Sequence, residues 1–465
     1  MGFKERVYQA SPVWIQNLGV SAVGWSIRRQ RFGRQFQEVS AEFADRQWQP
    51  ATALADYQNE RLRLLIRHAF DNVPHYRRVM DGLKLRPDDF RTAQDLPKLP
   101  VLTRDVFKTD PDSFRARNVS RRSLLRGETS GTTGSPMSVY WDKQVVVVNA
   151  VVEWRQKNWT GLKRGDRIST LMLSRAAIPQ RQARPPFWRF NRPMNQLLLS
   201  ALHMRPENLP HYIAALRRFR PAALEAYPSA ACLLARYLLD RGEELPLRCV
   251  LTTSETWQRS QRDLIERAFC CHVFDYYGMA ERVVFGTECE AHSGLHLNTD
   301  YGITEVVDDA FNPVGPGISG RIVGTSLHSL GMPLIRYATT DMAAVRQQQC
   351  SCGRAFPLLA GFEGRSDDMV VTPDGRMIPS TALTSALDRI PGISECQIIQ
   401  GEREHIVVEV VRGLSYTEAD TRQLLEQLRI LLGQRLRIDV QFVTEIERSS
   451  AGKFRWVISK VPVVS

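Results

Sequence analysis

The chain has 465 residues, of which 43% are hydrophobic and 24% charged, and its formal net charge is +12. A chain of this length and composition can bury a large core, which excludes a mainly disordered protein and predicts two or three domains. The positive charge favours anionic partners such as nucleotides, nucleic acids or acidic membrane surfaces. Because the arginines are scattered rather than clustered with aromatic residues, we expect no nucleic-acid binding, although this class stays an alternative.

The first residues, MGFKERVYQASP, show no apolar stretch of a secretory signal, and the eight cysteines are irregularly spaced, so we expect a cytoplasmic protein. Residues 13–36 are apolar and then basic, but Gln16, Asn17 and Ser21 make them too polar to span a bilayer. We favour a helix packed on the domain with its basic end in water. The alternative is a helix lying on a membrane, as part of a membrane-associated scaffold.

The leucines of residues 55–80 follow a helical period that ends at Pro74, and the apolar run 144–159 predicts a buried helix. From there to residue 278, strands alternate with helices. The predicted strands are 167–174, 222–229, 247–255 and 272–278, and the predicted helices are 209–219, 230–242 and 260–269. This alternation predicts an α/β fold with a mostly parallel, helix-covered sheet, whose ligands bind at the carboxyl ends of strands.

After Gly320 the sequence pattern mainly predicts β-strands, and from about Ser366 it predicts a small α+β unit. Its predicted strands are 395–400, 405–411 and 438–446, and its predicted helix is 416–436. We therefore predict a large N-terminal domain of residues 1–364 and a small C-terminal domain of residues 365–465.

The segment GETSGTTGSP, which begins at Gly127, combines glycines with five hydroxyl residues. Glycines let backbone N–H groups approach an anion closely, and hydroxyls donate further hydrogen bonds, so the segment favours a phosphate-binding loop. It lacks the Gly-Lys-Ser/Thr ending of the common nucleotide loop. The alternative is a flexible surface loop.

Two cysteine motifs predict a zinc site. The segment CEAHSGLH supplies Cys289, His292 and His296, and CSCGR supplies Cys350 and Cys352. Four such ligands meet the tetrahedral demand of structural Zn²⁺. We favour Cys289, His296, Cys350 and Cys352, with His292 as the competing imidazole, and the alternative is a set of free buried thiols.

Five motifs in this order resemble the adenylate-forming superfamily, most closely the branch of phenylacetate–CoA ligases and their capsule-biosynthesis relatives. They are TSGTTGSP at 129–136, YYGMAE at 276–281, RYATTDMA at 336–343, GRSDD at 364–368 and AGKFR at 451–455. The resemblance covers most of the chain, and some members of this branch carry a zinc of the kind described above.

The resemblance implies a nucleotide site. The loop residues that would cradle the β and γ phosphates of ATP are Thr129, Ser130, Gly131, Thr132, Thr133 and Gly134. Tyr277 would pack against adenine, with Gly278 beside it in the same motif. Asp341 would accept hydrogen bonds from the ribose hydroxyls, and Arg365 would contact ribose and phosphate.

The resemblance also implies the catalytic groups. Glu281 would hold Mg²⁺, and Lys453 would bridge the acid's carboxylate and the α-phosphate. Asp367 would be the hinge of a mobile C-terminal domain. Two departures stand out, because Thr340 and Ser254 occupy positions where relatives commonly have glycine.

The implied reaction converts an acid and ATP into acyl-AMP and pyrophosphate and then transfers the acyl group, most plausibly to coenzyme A. The alternative acceptor is an amine or a carrier protein. Tyr227 and Ser229 are predicted to shape the wall of the acyl pocket. The loop predicted at 181–193 either touches an anionic acceptor or is merely solvated. The acid and the oligomeric state are not predicted.

Overall fold

The structure, a computed structural model, describes residues 3–128, 137–172, 177–179, 182–255, 259–365, 369–374, 376–380, 383, 390, 392–448 and 453–461. The helices of these residues are α1 (Phe3–Ala10), α2 (Val13–Arg31), α3 (Arg34–Arg46), α4 (Ala51–Asn72), α5 (Pro74–Gly82), α6 (Arg104–Thr109), α7 (Lys143–Trp159), α8 (Leu209–Phe219), α9 (Pro228–Leu239), α10 (Arg259–Phe269) and α11 (Glu418–Leu432).

The strands of the large N-terminal part are β1 (Leu125–Glu128), β2 (Ser138–Trp141), β3 (Ile168–Met172), β4 (Trp188–Asn191), β5 (Gln196–Ser200), β6 (Ala223–Ala226), β7 (Cys249–Thr253), β8 (His272–Gly278), β9 (Phe285–Glu288), β10 (Leu295–Leu297), β11 (Gly302–Val307), β12 (Gly320–Ser326), β13 (Tyr337–Val345) and β14 (Leu358–Arg365). The remaining strands are β15 (Met369–Val371), β16 (Met377–Pro379), β17 (Ile393–Glu402), β18 (His405–Arg412), β19 (Arg437–Val443) and β20 (Val457–Ser459).

A twelve-stranded sheet forms the centre of the N-terminal part, in the order β11-β12-β13-β14-β10-β9-β8-β7-β6-β3-β5-β4. The strands β5, β3, β6, β7 and β8 are parallel to one another, and the other pairings of this sheet are antiparallel. Parallel neighbours require crossover connections, which α8, α9 and α10 supply. The predicted alternation of strands and helices is therefore confirmed, with ends trimmed by a few residues.

The predicted helix over residues 55–80 forms as two helices. α4 ends at Asn72, and α5 begins at Pro74, where a proline at the first helical position costs no hydrogen bond. The predicted buried helix is confirmed as α7, whose first turn is capped by the Asp142 side chain accepting from the Val145 N–H at 3.0 Å.

A smaller four-stranded sheet, in the order β19-β18-β17-β20, forms the C-terminal unit. One face is covered by α11, which buries Leu424, Leu428 and Leu432 at helical spacing. The three predicted strands and the predicted helix are confirmed, since β17, β18, β19 and α11 overlap them. The strand β20 runs parallel to β17 and completes this sheet.

The loop predicted at residues 181–193 is wrong for residues 188–191, which form the edge strand β4. This strand is covered by α2, where the Asn17 side chain accepts from the Phe190 N–H at 2.9 Å. The favoured interpretation of residues 13–36, a helix packed on the domain, is thereby confirmed for α2. Among the described residues, no helix combines the length and the apolar character that crossing a membrane demands.

Candidate active site and metal cluster

Three neighbouring parallel strands end at one edge of the large sheet, and the predicted site residues follow them. Ser229 lies just after β6, Ser254 and Glu255 follow β7, and Tyr277 and Gly278 close β8. Because parallel strands share the direction of the chain, their carboxyl ends meet, and this edge is where ligands bind in such sheets.

Asp341 and Tyr277 lie in contact at this edge. The Tyr277 hydroxyl donates to Asp341 Oδ2 at 2.6 Å, although the two residues are 64 positions apart in the chain. In the antiparallel pair of β13 and β14, Asp341 is the register partner of Arg365, whose side chain is outside the described part. Strand pairing therefore places Asp341 opposite Arg365, and a side-chain hydrogen bond adds Tyr277 as the third of these predicted nucleotide residues.

Glu281 sits beside the same pair. The Tyr337 hydroxyl donates to Glu281 Oε1 at 3.2 Å. Burial raises the pKa of Glu281, and the negative charge of Asp341 adds to this, while Arg104 opposes it. A hard cation bound at Glu281 would relieve the repulsion between the two carboxylates, so Glu281 fits the oxygen-ligand preference of Mg²⁺.

The predicted phosphate loop, residues 129–134, lies outside the described residues, but its anchors are defined. The strands β1 and β2 pair as a hairpin in which Glu128 is opposite Ser138. Trp141, at the end of β2, donates its indole N–H to the Ala280 carbonyl at 2.8 Å, next to Glu281. The predicted phosphate loop therefore connects the two strands of a hairpin, and Trp141 attaches this hairpin to the residue before Glu281.

Gly127, two residues before the predicted phosphate loop, has a packing role. A Cβ at this position would lie 2.2 Å from the Trp141 ring, so the glycine provides the space into which that ring packs. Its small size serves the attachment of the hairpin.

The segment that carries Lys453 reaches this edge from the C-terminal unit. The Phe454 N–H donates to Glu255 Oε1 at 2.7 Å, and Ser229 donates to the same carboxylate through its N–H at 3.0 Å and its hydroxyl at 3.1 Å. Burial raises the pKa of Glu255, while the hydrogen bonds from Ser229 and Phe454 act in the opposite direction. Lys453 is half-buried. It directly precedes Phe454 in the chain, and the contact of Phe454 with Glu255 therefore holds it near the end of β7.

Further polar contacts join the two units among the described residues. The Arg236 guanidinium donates to the Ser394 carbonyl at 2.9 Å, and an exposed ion pair joins Arg205 and Glu445 at 3.7 Å. Between α9, α10 and the small sheet lies a cavity of about 220 Å³, which Phe454 helps to line. The two units therefore meet through polar contacts beside a cavity.

The two departures from the family pattern have different structural outcomes. Ser254 has a φ of 73°, the left-handed conformation that glycine adopts without strain, so the serine preserves the backbone shape at a cost of about 1 kcal/mol. Thr340 lies inside β13, and the strand continues through it to place Asp341 opposite Arg365.

The four favoured zinc ligands form one cluster. The ligand atoms of Cys289, His296, Cys350 and Cys352 all lie within 4.8 Å of one another. His296 Nε2 is 3.3 Å from Cys289 Sγ and 3.4 Å from Cys352 Sγ, and the Cys289 and Cys350 sulfurs are 3.6 Å apart. The competing His292 instead faces Glu288, with Nδ1 3.2 Å from its Oε1.

The cluster is closed and oriented from outside. His296 lies on β10, and its Nδ1 is 3.3 Å from the Phe356 carbonyl oxygen, which suits an Nδ1–H donor and leaves Nε2 facing the sulfurs. Three of the four side chains are buried, and Cys352 is half-buried. This is the arrangement of a structural site, with no open position for a substrate.

Several contributing residues escaped the sequence analysis. Tyr337 and Trp141 were not singled out, although Tyr337 belongs to the quoted motif RYATTDMA and lies four residues before Asp341. The contact of Glu255 with Phe454 could not be read from the sequence, because it joins positions 199 residues apart. Asp367, the predicted hinge, lies outside the described residues.

The buried carboxyl of Asp275 was also missed. Burial and the neighbouring Glu288 raise its pKa to about 8. It accepts from the Thr252 hydroxyl at 2.8 Å, and its backbone N–H donates to Glu288 at 2.7 Å. Since Glu288 directly precedes Cys289, this carboxyl lies between the metal cluster and the end of β8.

Comparisons with known proteins agree with this geometry. The family model of the CapK C-terminal domain matches residues 370–460. Protein CapK of Staphylococcus aureus is 26% identical over 467 residues, covering 98% of this chain and 99% of its own. A phenylacetate-coenzyme A ligase of Thermus thermophilus is 28% identical over 393 residues, covering 82% of this chain and 85% of its own.

The fold is that of a solved CoA ligase. A crystal structure of 2-hydroxyisobutyryl-CoA ligase in the postadenylation state, in complex with R3-HIB-AMP, is similar with a TM-score of 0.71 and 22% identity, covering 89% of this chain and 91% of that one. Together these likenesses confirm the predicted fold class and the predicted resemblance.

Proposed function

We propose that this chain, an adenylate-forming relative of CapK and of the phenylacetate–coenzyme A ligases, is an AMP-forming acid ligase that activates a small carboxylic acid with ATP and passes the acyl group to coenzyme A. The observation that carries the proposal is the convergence at one sheet edge of Tyr277, Asp341 and Glu281 with the segment that bears Lys453.

The proposed chemistry follows from the charges at this edge. A carboxylate is a poor electrophile, and making it an acyl-adenylate replaces an oxide with a good leaving group. The attack builds negative charge around the α-phosphorus, which the Lys453 ammonium would offset. Asp341 would hold the ribose hydroxyls, and Tyr277, fixed by its hydrogen bond to Asp341, would present its ring to adenine. Residues 129–134 and Arg365 would hold the phosphates.

Two metal ions form part of the proposal. Mg²⁺, when bound, would neutralise the phosphates, and Glu281, with Tyr337 orienting its carboxylate, is the side chain that fits it. Zn²⁺ fits the cluster of Cys289, His296, Cys350 and Cys352, because ligands about 2.3 Å from a shared centre lie roughly 3.8 Å apart, as these atoms nearly do. Its role would be to brace the β9–β10 end of the sheet.

Transfer to the acceptor requires that Lys453 withdraw from the adenylate. We place the domain boundary at residues 365–368 and the hinge at Asp367, as the motif GRSDD implies. In such a movement, the polar groups that join the two units, among them Arg236, Glu255 and Arg205, would exchange partners.

We further propose a cytoplasmic location, in line with the irregular spacing of the eight cysteines.

The alternative acceptor to coenzyme A is an amine or a carrier protein.

The test is an exchange assay with labelled pyrophosphate and ATP across a panel of aromatic and aliphatic acids. We expect exchange that depends on one class of acid and on Mg²⁺. Supplying coenzyme A, free amines or a carrier protein to the responsive acid then identifies the acceptor by the product formed. Purified, folded protein that exchanges no acid of a broad panel would refute the proposal.

A further inference from the structure

Of the three buried residues of α2, Gln16, Val20 and Gly24, only Val20 has a large apolar side chain, whereas several large apolar side chains of this helix are exposed to the solvent. On the inner face, Gln16 accepts from the Arg189 guanidinium at 2.7 Å, and Asn17 and Ser21 contact the backbone of β4. Gly24 lies against the Asn191 side chain. This arrangement reverses the usual surface helix, whose apolar stripe faces the core.

The outer face carries a stripe of large apolar side chains. Trp14, Leu18 and Trp25 are 64%, 58% and 53% exposed, and they lie on one side of the helix because they are spaced at four and seven residues. Ile15 lies beside them and is also exposed. A contiguous apolar stripe of this kind marks an interaction surface, whereas single exposed hydrophobic residues are ordinary.

The positive charge next to the apolar stripe indicates an anionic partner. Residues 1–36 contain six lysines and arginines and one acidic residue, Glu5. Arg28, Arg29 and Arg31 occupy the last turn of α2, and the Arg29 guanidinium lies 4.6 Å from the centroid of the Trp25 ring. The apolar stripe is therefore followed by a basic cluster at the C-terminal end of α2, and Arg29 of this cluster contacts Trp25 of the stripe.

We infer that the outer face of α2 binds the surface of an anionic lipid bilayer. Tryptophan favours the boundary between headgroups and acyl chains, and arginines beside it attract anionic headgroups. The helix would lie in the plane of the membrane, with Trp14, Leu18 and Trp25 inserted and Arg28 and Arg29 at the headgroups. Binding would place the acid ligase at a membrane surface without involving its active site.

The experiment is co-sedimentation of the full chain with phosphatidylcholine vesicles, with and without phosphatidylglycerol. One variant combines Trp14→Ser, Leu18→Ser and Trp25→Ser. Its matched control combines Leu64→Ser, Leu414→Ser and Ile430→Ser, three large hydrophobic residues that are equally or more exposed on other elements. A charge variant combines Arg28→Gln and Arg29→Gln, with Arg77→Gln and Arg437→Gln as its control.

We expect the wild type and both controls to bind the anionic vesicles and the stripe variant to lose binding. The charge variant should bind roughly thirtyfold more weakly, because it loses two arginines that contribute about 1 kcal/mol each. Equal unfolding midpoints would show that α2 is still folded in the variants. Equal vesicle binding by wild type and stripe variant would overturn the inference. So would a dimer, seen by light scattering, that the stripe variant dissociates while vesicle binding is unchanged, because the face would then join two copies.

Discussion

The proposed nucleotide site and the cysteine–histidine cluster lie on the same large sheet but are assembled in opposite ways. The proposed nucleotide site draws on β8, β13, the β1–β2 hairpin and the C-terminal unit, and burial, together with the charge of Asp341, raises the pKa of Glu281 there. The cluster draws on the β9–β10 hairpin and one turn, and its four ligands already face a shared centre.

This difference indicates two roles. The proposed nucleotide site is stabilised only when its ligand binds, whereas the cysteine–histidine cluster would stabilise the fold. Two like charges at one edge raise the free energy of the folded chain until a cation or nucleotide joins them, a pattern typical of catalytic sites. A closed set of four ligands offers no position for substrate and adds its binding energy to folding. Substitutions in the first site should therefore change rate with little effect on stability, and substitutions in the second should do the reverse.

The largest expected effect is on rate, from Lys453→Ala. Removing the ammonium that faces the developing charge should lower acid-dependent pyrophosphate exchange by about 10²- to 10³-fold. The free energy of unfolding should change by less than about 0.5 kcal/mol, since Lys453 is only half-buried. Lys460→Ala, on an exposed lysine seven residues further, is the control and should exchange normally. Similar losses in both variants would contradict the assignment.

The converse effect is expected from Cys350→Ser with Cys352→Ser. Losing two of four ligands should abolish bound zinc, measured by metal analysis of the purified protein, and should lower the free energy of unfolding by at least about 3 kcal/mol. Exchange activity per folded molecule should stay near the wild-type value. The exposed thiol variant Cys270→Ser should retain full metal content. If the double variant and Cys270→Ser contained the same amount of zinc, the assignment of zinc to this cluster would be wrong.

A substitution at Asp275 tests the role of β8, which lies between the two sites. Its pKa is raised from 3.8 to about 8 in the folded protein, by burial and by Glu288. The folded protein thus keeps a proton that the unfolded chain releases, so the free energy of unfolding should fall as the pH rises from about 4 to about 8. Asp275→Asn should remove a few kcal/mol of this fall, measured by urea unfolding across that range. The exposed variant Asp88→Asn should retain the wild-type slope.

Much of both sites could be predicted from the sequence, because each rests on local patterns. The spacing of Cys289, His296, Cys350 and Cys352 indicated a four-ligand cluster, and only the choice against His292 required the structure, which pairs that ring with Glu288. The order of the motifs likewise placed Asp341, Tyr277 and Glu281 in one site. Contacts between distant segments were not predictable, because neither the attachment of Trp141 to Ala280 nor that of Glu255 to Phe454 leaves a periodic signal.

An intermediate effect is expected where the nucleotide site depends on the C-terminal unit. Glu255→Ala removes the acceptor shared by Ser229 and Phe454 and should lower exchange about tenfold by misplacing the Lys453 segment, while Glu255→Gln should restore most of it. Because Glu255 acts through Phe454, the Michaelis constant for the acid should stay constant while the turnover number falls. A loss that the glutamine variant does not restore would indicate that the negative charge, rather than the position of Lys453, is what matters.

The smallest effect is expected from Tyr337→Phe. The variant deletes only the hydroxyl that donates to Glu281 Oε1, a hydrogen bond of 3.2 Å to a buried carboxylate. A bond of this kind is worth about 1 kcal/mol, so the Mg²⁺ concentration for half-maximal exchange should rise by roughly three- to tenfold. Saturating Mg²⁺ should restore the rate, because the ring still fills its place beside β13. Tyr237→Phe on α9 serves as the control. A Mg²⁺ dependence that Tyr337→Phe leaves unchanged would mean that Glu281 is not oriented for the cation, and the magnesium role would then pass from Glu281 to another carboxylate of the site.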